Sequence, residues 1–224
     1  AEQGVGRGDR VALLLPNGTH FVWTVHALAR LGAVSVPLNL RLAAPEMAAQ
    51  IQEADVSLLV YHSSLAQRAA DLAHATRVPI LCVDKESTHA PPPTATPFEL
   101  DRTHTIIFTS GTTGRPKGAM LTFGNHWWSA VGSVLNLGLR EGDKWLACVP
   151  LFHVSGLSIL MRSVIYGIPA VVHERFEPAR VNAAIEYGGV TIVSVVSNML
   201  ARLLDERGDR PYPPSFRCIL AGGG

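Results

Sequence analysis

Residues 11 to 38 constrain the fold more than any other stretch. "RVALLLPNG" carries an unbroken apolar run, Val11 to Leu15, ended by Pro16-Asn17-Gly18. "THFVWTVHALARLG" follows with apolar residues at helical spacing and closes at Gly32, and "AVSVPL" supplies a second apolar run. A strand without polar alternation is buried on both faces, and a helix between two such strands makes them parallel neighbours. The order recurs, with a predicted helix over 45–53, strand over 56–61, helix over 64–75 and strand over 78–83. The chain is expected to be α/β, with layered, mostly parallel sheets covered by helices.

"STHAPPPTATPFELD", 87–101, is proline-rich and polar, which makes it the expected connection between a first α/β portion, 1–86, and a second, 102–224. In the second portion the pattern predicts a strand over 105–109, a glycine-rich loop, and a helix over 123–137 with Thr122 as N-cap and Gly138 as its stop. Strands over 144–149, 169–173 and 190–195 alternate with helices over 155–167, 180–187 and 198–207. A last strand runs into Gly222-Gly223-Gly224. Trp127, Trp128, Val131, Val134 and Leu135 have helix spacing and are expected to pack in the core. Because the chain begins with Ala and stops in three glycines, it is expected to be cut at both ends.

With 47% hydrophobic and 17% charged residues and a net charge of +1, the 224-residue chain has no electrostatic bias toward nucleic acid or a membrane surface, so any anion binding must be local. No apolar run reaches the roughly 18 residues of a spanning helix. Three widely spaced cysteines, Cys82, Cys148 and Cys218, offer neither a disulfide framework nor a metal knuckle, and a reducing cytoplasm fits them best. The histidines and acids show no metal-ligand spacing, so no metal site is expected. Association into a homo-oligomer stays open.

The chemistry concentrates in "TSGTTGRPKG", 109–118, directly after Ile106-Ile107-Phe108. A phosphate needs unobstructed backbone N–H groups, hydroxyl donors and a cation. Gly111, Gly114 and Gly118 open the backbone, Thr109, Ser110, Thr112 and Thr113 offer hydroxyls, and Lys117 offers a point charge that Pro116 steers. A flexible surface hairpin is the plainer alternative, since Gly, Ser and Thr occur in any loop. The continuous run of donors after a buried strand favours phosphate. A Walker A loop is excluded, because that motif requires Gly-Lys followed by Ser or Thr, whereas Pro116-Lys117-Gly118 stands here.

"TSGTTGRPKG" resembles the phosphate-binding signature of the adenylate-forming superfamily, which includes acyl- and aryl-CoA ligases, peptide-synthetase adenylation domains and luciferase. "GDRVALLLPNG", "LGAVSVPLN" and "AGGG" are similar to that family as well. "TFGNHWWSAVGSVLNLGL", "WLACVPLFHVSGLSIL", "GVTIVSVVSNML" and "FRCILAGGG" resemble in particular the 2-succinylbenzoate CoA ligases of menaquinone biosynthesis. The resemblance implies most of a large N-terminal domain. Its Mg-linked glutamate, ribose-binding aspartate, hinge and C-terminal domain with a catalytic lysine are absent from these residues, so the chain alone is expected to be inactive. It also implies ATP with Mg2+, CoA as cosubstrate and a small-molecule carboxylate as partner, without nucleic acid or a membrane span.

By the same resemblance, Thr109, Ser110, Gly111, Thr112, Thr113, Gly114 and Lys117 would hold ATP phosphates, with Lys117 catalytic, and Gly222, Gly223 and Gly224 would begin the adenine turn. His153 in "PLFHVSGL" would be catalytic beside the carboxylate substrate, with Ser155, Gly156, Asn125 and His126 shaping the acyl pocket. Relatives often carry a lysine where Asn198 stands, so Asn198 is left unassigned. Two alternatives remain: another acyl- or aryl-CoA ligase or amino-acid adenylation domain, and a catalytically silent nucleotide-binding or scaffold fragment.

Overall fold

The computed structural model describes residues 4–85, 97–109 and 117–222. They form two compact units, divided after Asn125. In the first, β1 (Arg10–Leu14), α1 (Thr19–Leu31), β2 (Val34–Pro37), α2 (Ala44–Glu53), β3 (Leu58–Tyr61), α3 (Ala66–Thr76) and β4 (Ile80–Cys82) are followed by β5 (Thr103–Thr109) and β6 (Lys117–Thr122). These strands make one sheet in the order β4-β3-β1-β2-β5-β6. All neighbours are parallel except β5 and β6. Val11 to Leu14 are fully buried, as the unbroken apolar run of β1 requires at the centre of a helix-covered sheet. Ala12, Leu14, Val36, Met47, Ile51, Leu59 and Leu72 form the core of this unit.

Helix α4 (Phe123–Leu137) leads out of β6. The second unit continues with β7 (Trp145–Ala147), α5 (Val154–Tyr166), β8 (Ala170–Val172), α6 (Pro178–Tyr187), β9 (Ile192–Val195), α7 (Ser197–Arg207) and β10 (Cys218–Ala221). Its sheet has the order β10-β9-β7-β8 and every pairing is parallel. Leu146, Val181, Ile185, Val193 and Leu203 pack around it.

The expected α/β architecture of layered, mostly parallel sheets is what the structure contains. Two expectations about local structure fail. Lys117 and Gly118, read from the sequence as part of the loop, join the unassigned 119–122 to form β6, antiparallel to β5. β6 is an edge strand whose first four residues are exposed, so it lacks the apolar run that marked the buried strands. The second failure concerns α4. Trp127, Trp128 and Leu135 are 43%, 64% and 81% exposed rather than core, while Val131 and Val134 are half-buried. Its buried side chains are those of Phe123, His126 and Ala130, and Gly124 is buried beside them. At roughly 100° per residue, that three- and four-residue spacing turns Trp127 and Trp128 away from the buried stripe.

Candidate functional site

In the first unit the site is built on the β5–β6 hairpin. β5 is the last parallel strand of its sheet, so its C-terminal end opens on the edge where ligands of open α/β sheets bind. Thr109 and Lys117 face each other in register, which anchors both ends of the loop to one rung of the ladder. Both side chains are exposed. Ser110, Gly111, Thr112, Thr113 and Gly114 lie outside the described residues. Gly118 carries a signal that the sequence reading used only for loop freedom: a Cβ there would stand 2.8 Å from Ile106 Cγ2 and 3.3 Å from the Phe108 ring. Glycine lets β6 close down on β5 immediately beside Lys117.

Asn125 lies at the other end of β6. Its Oδ1 accepts from Thr122 N at 2.8 Å and from Thr122 Oγ1 at 3.0 Å, while Thr122 Oγ1 accepts from Asn125 N at 3.1 Å. This reciprocal pair is a capping box with Asn in the usual Glu or Gln position, and Thr122 is the N-cap the sequence predicts. Asn125 therefore spends its carbonyl oxygen on α4. With a strand rise of about 3.3 Å, the five-residue span of β6 puts Lys117 and Thr122 about 17 Å apart. The hairpin thus does not bring Asn125 to Lys117.

In the second unit β7 connects to β8 on one side of the sheet and β9 lies on the other, so the crevice between the C-terminal ends of β7 and β9 is a topological switch point. His153 sits at that edge as the N-cap residue of α5, and its carbonyl oxygen accepts from Gly156 N at 3.1 Å and Leu157 N at 3.0 Å. The imidazole is exposed and lies 4.4 Å from the Phe152 ring. Ser155 is exposed in the first turn of α5, where the helix dipole favours an anion. Gly222, whose N–H donates to Val195 O at 3.1 Å, extends β10 along β9 to the same edge. Gly223 and Gly224 lie outside the described residues.

Gly156 is buried against the turn that delivers His153. A Cβ at that position would stand 2.4 Å from Pro150 O and 2.8 Å from Leu151 Cα, both backbone atoms. Gly156→Ala is expected to push α5 off this turn and to destabilise the protein by about 1–3 kcal/mol, the usual range for overpacking. Thermal unfolding checks it, and an unchanged midpoint would mean that the turn relaxes freely.

Two further groups define what this unit can do. His126 is buried, and burial, helped by the positive charge of Arg162, pushes its imidazole down to about 4. It is a neutral hydrogen-bonding group at physiological pH. Cys148, one residue past β7, is buried with its Sγ directed at Ser194 O at 3.6 Å, and burial pushes the thiol up to about 12. A thiol held protonated is a poor nucleophile, so Cys148 serves the core of this unit. Among the described residues, no group of three or more His, Cys, Asp or Glu could hold a metal ion. No described helix is long and apolar enough to cross a membrane.

The family model for AMP-binding enzymes matches residues 1–224. The chain belongs to the AMP-binding enzyme family. A 2-succinylbenzoate CoA ligase of Bacillus anthracis is 46% identical over 221 residues, which are 99% of this chain and 45% of that protein. The chain therefore spans about half the length of such curated relatives. The o-succinylbenzoate CoA synthetase of Bacillus subtilis, solved with the acyl-adenylate intermediate OSB-AMP, superposes with a TM-score of 0.91 at 43% identity, covering 100% of this chain and 58% of that one. The same enzyme solved with ATP and magnesium ion gives 0.91 at 43% identity, over 100% and 46% of the two chains. An AMP-binding family member needs a phosphate grip and a place for a nucleotide. The Thr109–Lys117 rung and the second unit's switch-point edge are the described features of this chain that suit those tasks.

Proposed function

We propose that the full-length protein is an ATP-dependent carboxylate CoA ligase that adenylates 2-succinylbenzoate and then forms its CoA thioester, a cytoplasmic step of menaquinone biosynthesis. The observation that carries this reading is the 46% identity to the Bacillus anthracis ligase, spread over 99% of the chain rather than confined to the loop. Magnesium enters with the nucleotide as MgATP.

In the first half-reaction a carboxylate oxygen of the acid attacks the α-phosphorus, the bond from that phosphorus to the bridging oxygen breaks, and pyrophosphate leaves. In the second, the CoA thiol gives up its proton to solvent, its sulfur attacks the acyl carbonyl carbon, and the bond from that carbon to the phosphate oxygen breaks so that AMP leaves with the bonding electrons. Charge builds on the β- and γ-phosphates as the first bond breaks, and fixed donors aimed there lower the barrier. Lys117 supplies the cation, and Thr109, Ser110, Thr112 and Thr113 supply hydroxyls, with Gly111 and Gly114 assigned to the same phosphate-binding segment. His153, Ser155, Gly156 and His126 line the acyl side, with Asn125 contributing its amide nitrogen. Gly222, Gly223 and Gly224 are assigned to the adenine. The exposed imidazole of His153 can donate to the carboxylate as it approaches phosphorus.

The test is carboxylate-dependent ATP–pyrophosphate exchange by the full-length protein, comparing 2-succinylbenzoate with benzoate, a fatty acid and amino acids. Exchange stimulated mainly by 2-succinylbenzoate is expected. Exchange driven by another acid would keep the chemistry and reject the substrate. Silence with every acid, in a folded sample, would reject the ligase assignment.

A further inference from the structure

At the foot of the hairpin, a cation has been taken out of water without an anion. Arg102 directly precedes β5 and is half-buried as a residue, yet Nε, Nη1 and Nη2 of its guanidinium are all shut off from solvent and make no hydrogen bond. The group lies over the Phe123 ring, 5.2 Å from its centroid. Phe98 meets that ring edge-on at 5.1 Å, and His104 lies 4.9 Å from it. A ring face offsets only a small part of the penalty of desolvating a charge. Five donor N–H bonds left unused in an apolar setting are a larger deficit than a folded chain ordinarily tolerates.

The acids nearest in sequence do not fill it. Glu99 is committed to Arg7 at 2.6 Å, and Asp101 is exposed. The backbone around the group is already satisfied: Arg102 O accepts from Phe123 N at 3.0 Å, Leu100 O from Gly124 N at 2.6 Å, and Arg102 N donates to Glu99 O at 3.1 Å. We propose that the Arg102 guanidinium is a carboxylate-binding site. A single guanidinium fork matches a monoanionic, planar carboxylate. The carboxylate comes either from a small acid in solution or from an acidic side chain elsewhere in the full-length polypeptide.

The sign of one substitution decides the matter. Arg102→Met keeps an apolar stem over Phe123 and removes the charge. In the full-length protein it is expected to lower the unfolding midpoint by about 5 °C, because a buried carboxylate is left unpaired or a bound acid is lost. Acetate or succinate, added against chloride at equal ionic strength, separates the two sources. A rise in midpoint that saturates in the wild type and is missing in Arg102→Met identifies a free acid. The same destabilisation without any response to added acid identifies a built-in side chain. Arg102→Lys keeps a cation over the ring but loses the fork, and is expected to fall below the wild type as well. An Arg102→Met protein as stable as the wild type, or more so, would overturn the proposal, since removing an unpaired buried cation relieves strain. Full retention of stability by Arg102→Lys would also overturn it, leaving only the contact with the ring.

Discussion

Lys117→Ala in the full-length protein is expected to slow adenylation by on the order of 10², about 2.7 kcal/mol of transition-state stabilisation, while thioester formation from a supplied acyl adenylate stays close to the wild-type rate. The asymmetry follows from where charge appears. Negative charge grows on the pyrophosphate leaving group in the first half-reaction, whereas the second has no pyrophosphate to stabilise. Lys117 is the first residue of β6, fixed opposite Thr109, and Gly118 holds that strand tight against Ile106 and Phe108. In the proposed reaction its ammonium group would work from this rigid base. Single-turnover rates for the two half-reactions, measured on the same preparation, provide the check. Equal slowing of both would remove Lys117 from the phosphate-binding role and point to a structural one.

Much of this was legible in the sequence, because buried parallel strands advertise themselves. Val11 to Leu14 had to be apolar on both faces, and the helices between such strands had to carry one apolar stripe, so the element order could be read almost throughout. The position of His153 was legible too, since it stands between an apolar run and a helix start. What stayed hidden depends on partners distant in sequence or on solvent-facing surface. β6 is an exposed edge whose only signal is its pairing with β5. The exposure of Trp127 and Trp128 reflects which side of α4 is packed, and their hydrophobicity says nothing about that. The cap between Thr122 and Asn125 could have been found from its three-residue spacing, which would have tempered the assignment of Asn125 to a substrate pocket.

The least legible feature is also expected to be among the largest contributors to stability. Asp143 and Arg217, 74 residues apart, form a buried pair: Nε donates to Oδ1 at 2.8 Å and Nη2 to Oδ2 at 2.6 Å, with the side chains 1% and 9% exposed. Every nitrogen of the guanidinium is used, since Nη1 also donates to Leu137 O at 2.8 Å and Nη2 to Gly138 O at 3.1 Å. The carboxylate accepts in addition from Thr191 Oγ1 at 2.9 Å and Arg140 N at 2.8 Å. The pair therefore fastens the end of α4, the approach to β7 and the start of β10 to one another. Arg217→Met would leave Asp143 charged and buried, and is expected to cost about 3–5 kcal/mol. The exposed Arg7–Glu99 pair is comparably short, yet its loss is expected to cost no more than about 1 kcal/mol, because water screens it.

The pH dependence of stability carries the same signature. Hydrogen bonds from Arg217, followed by those from Arg140 and Thr191, hold the Asp143 carboxyl down at about 2 against the opposing effect of burial. A depressed carboxylate contributes stability that is complete above its unfolded value of about 3.9 and is lost as pH falls through about 2. Urea unfolding midpoints between pH 2 and pH 5 should therefore drop more steeply in the wild type than in Arg217→Met, where the main cause of the depression is gone. Parallel curves for the two proteins would mean that Asp143 owes its low value to Thr191 and the Arg140 backbone instead. In that case the guanidinium would act mainly by bonding the Leu137 and Gly138 carbonyls at the end of α4.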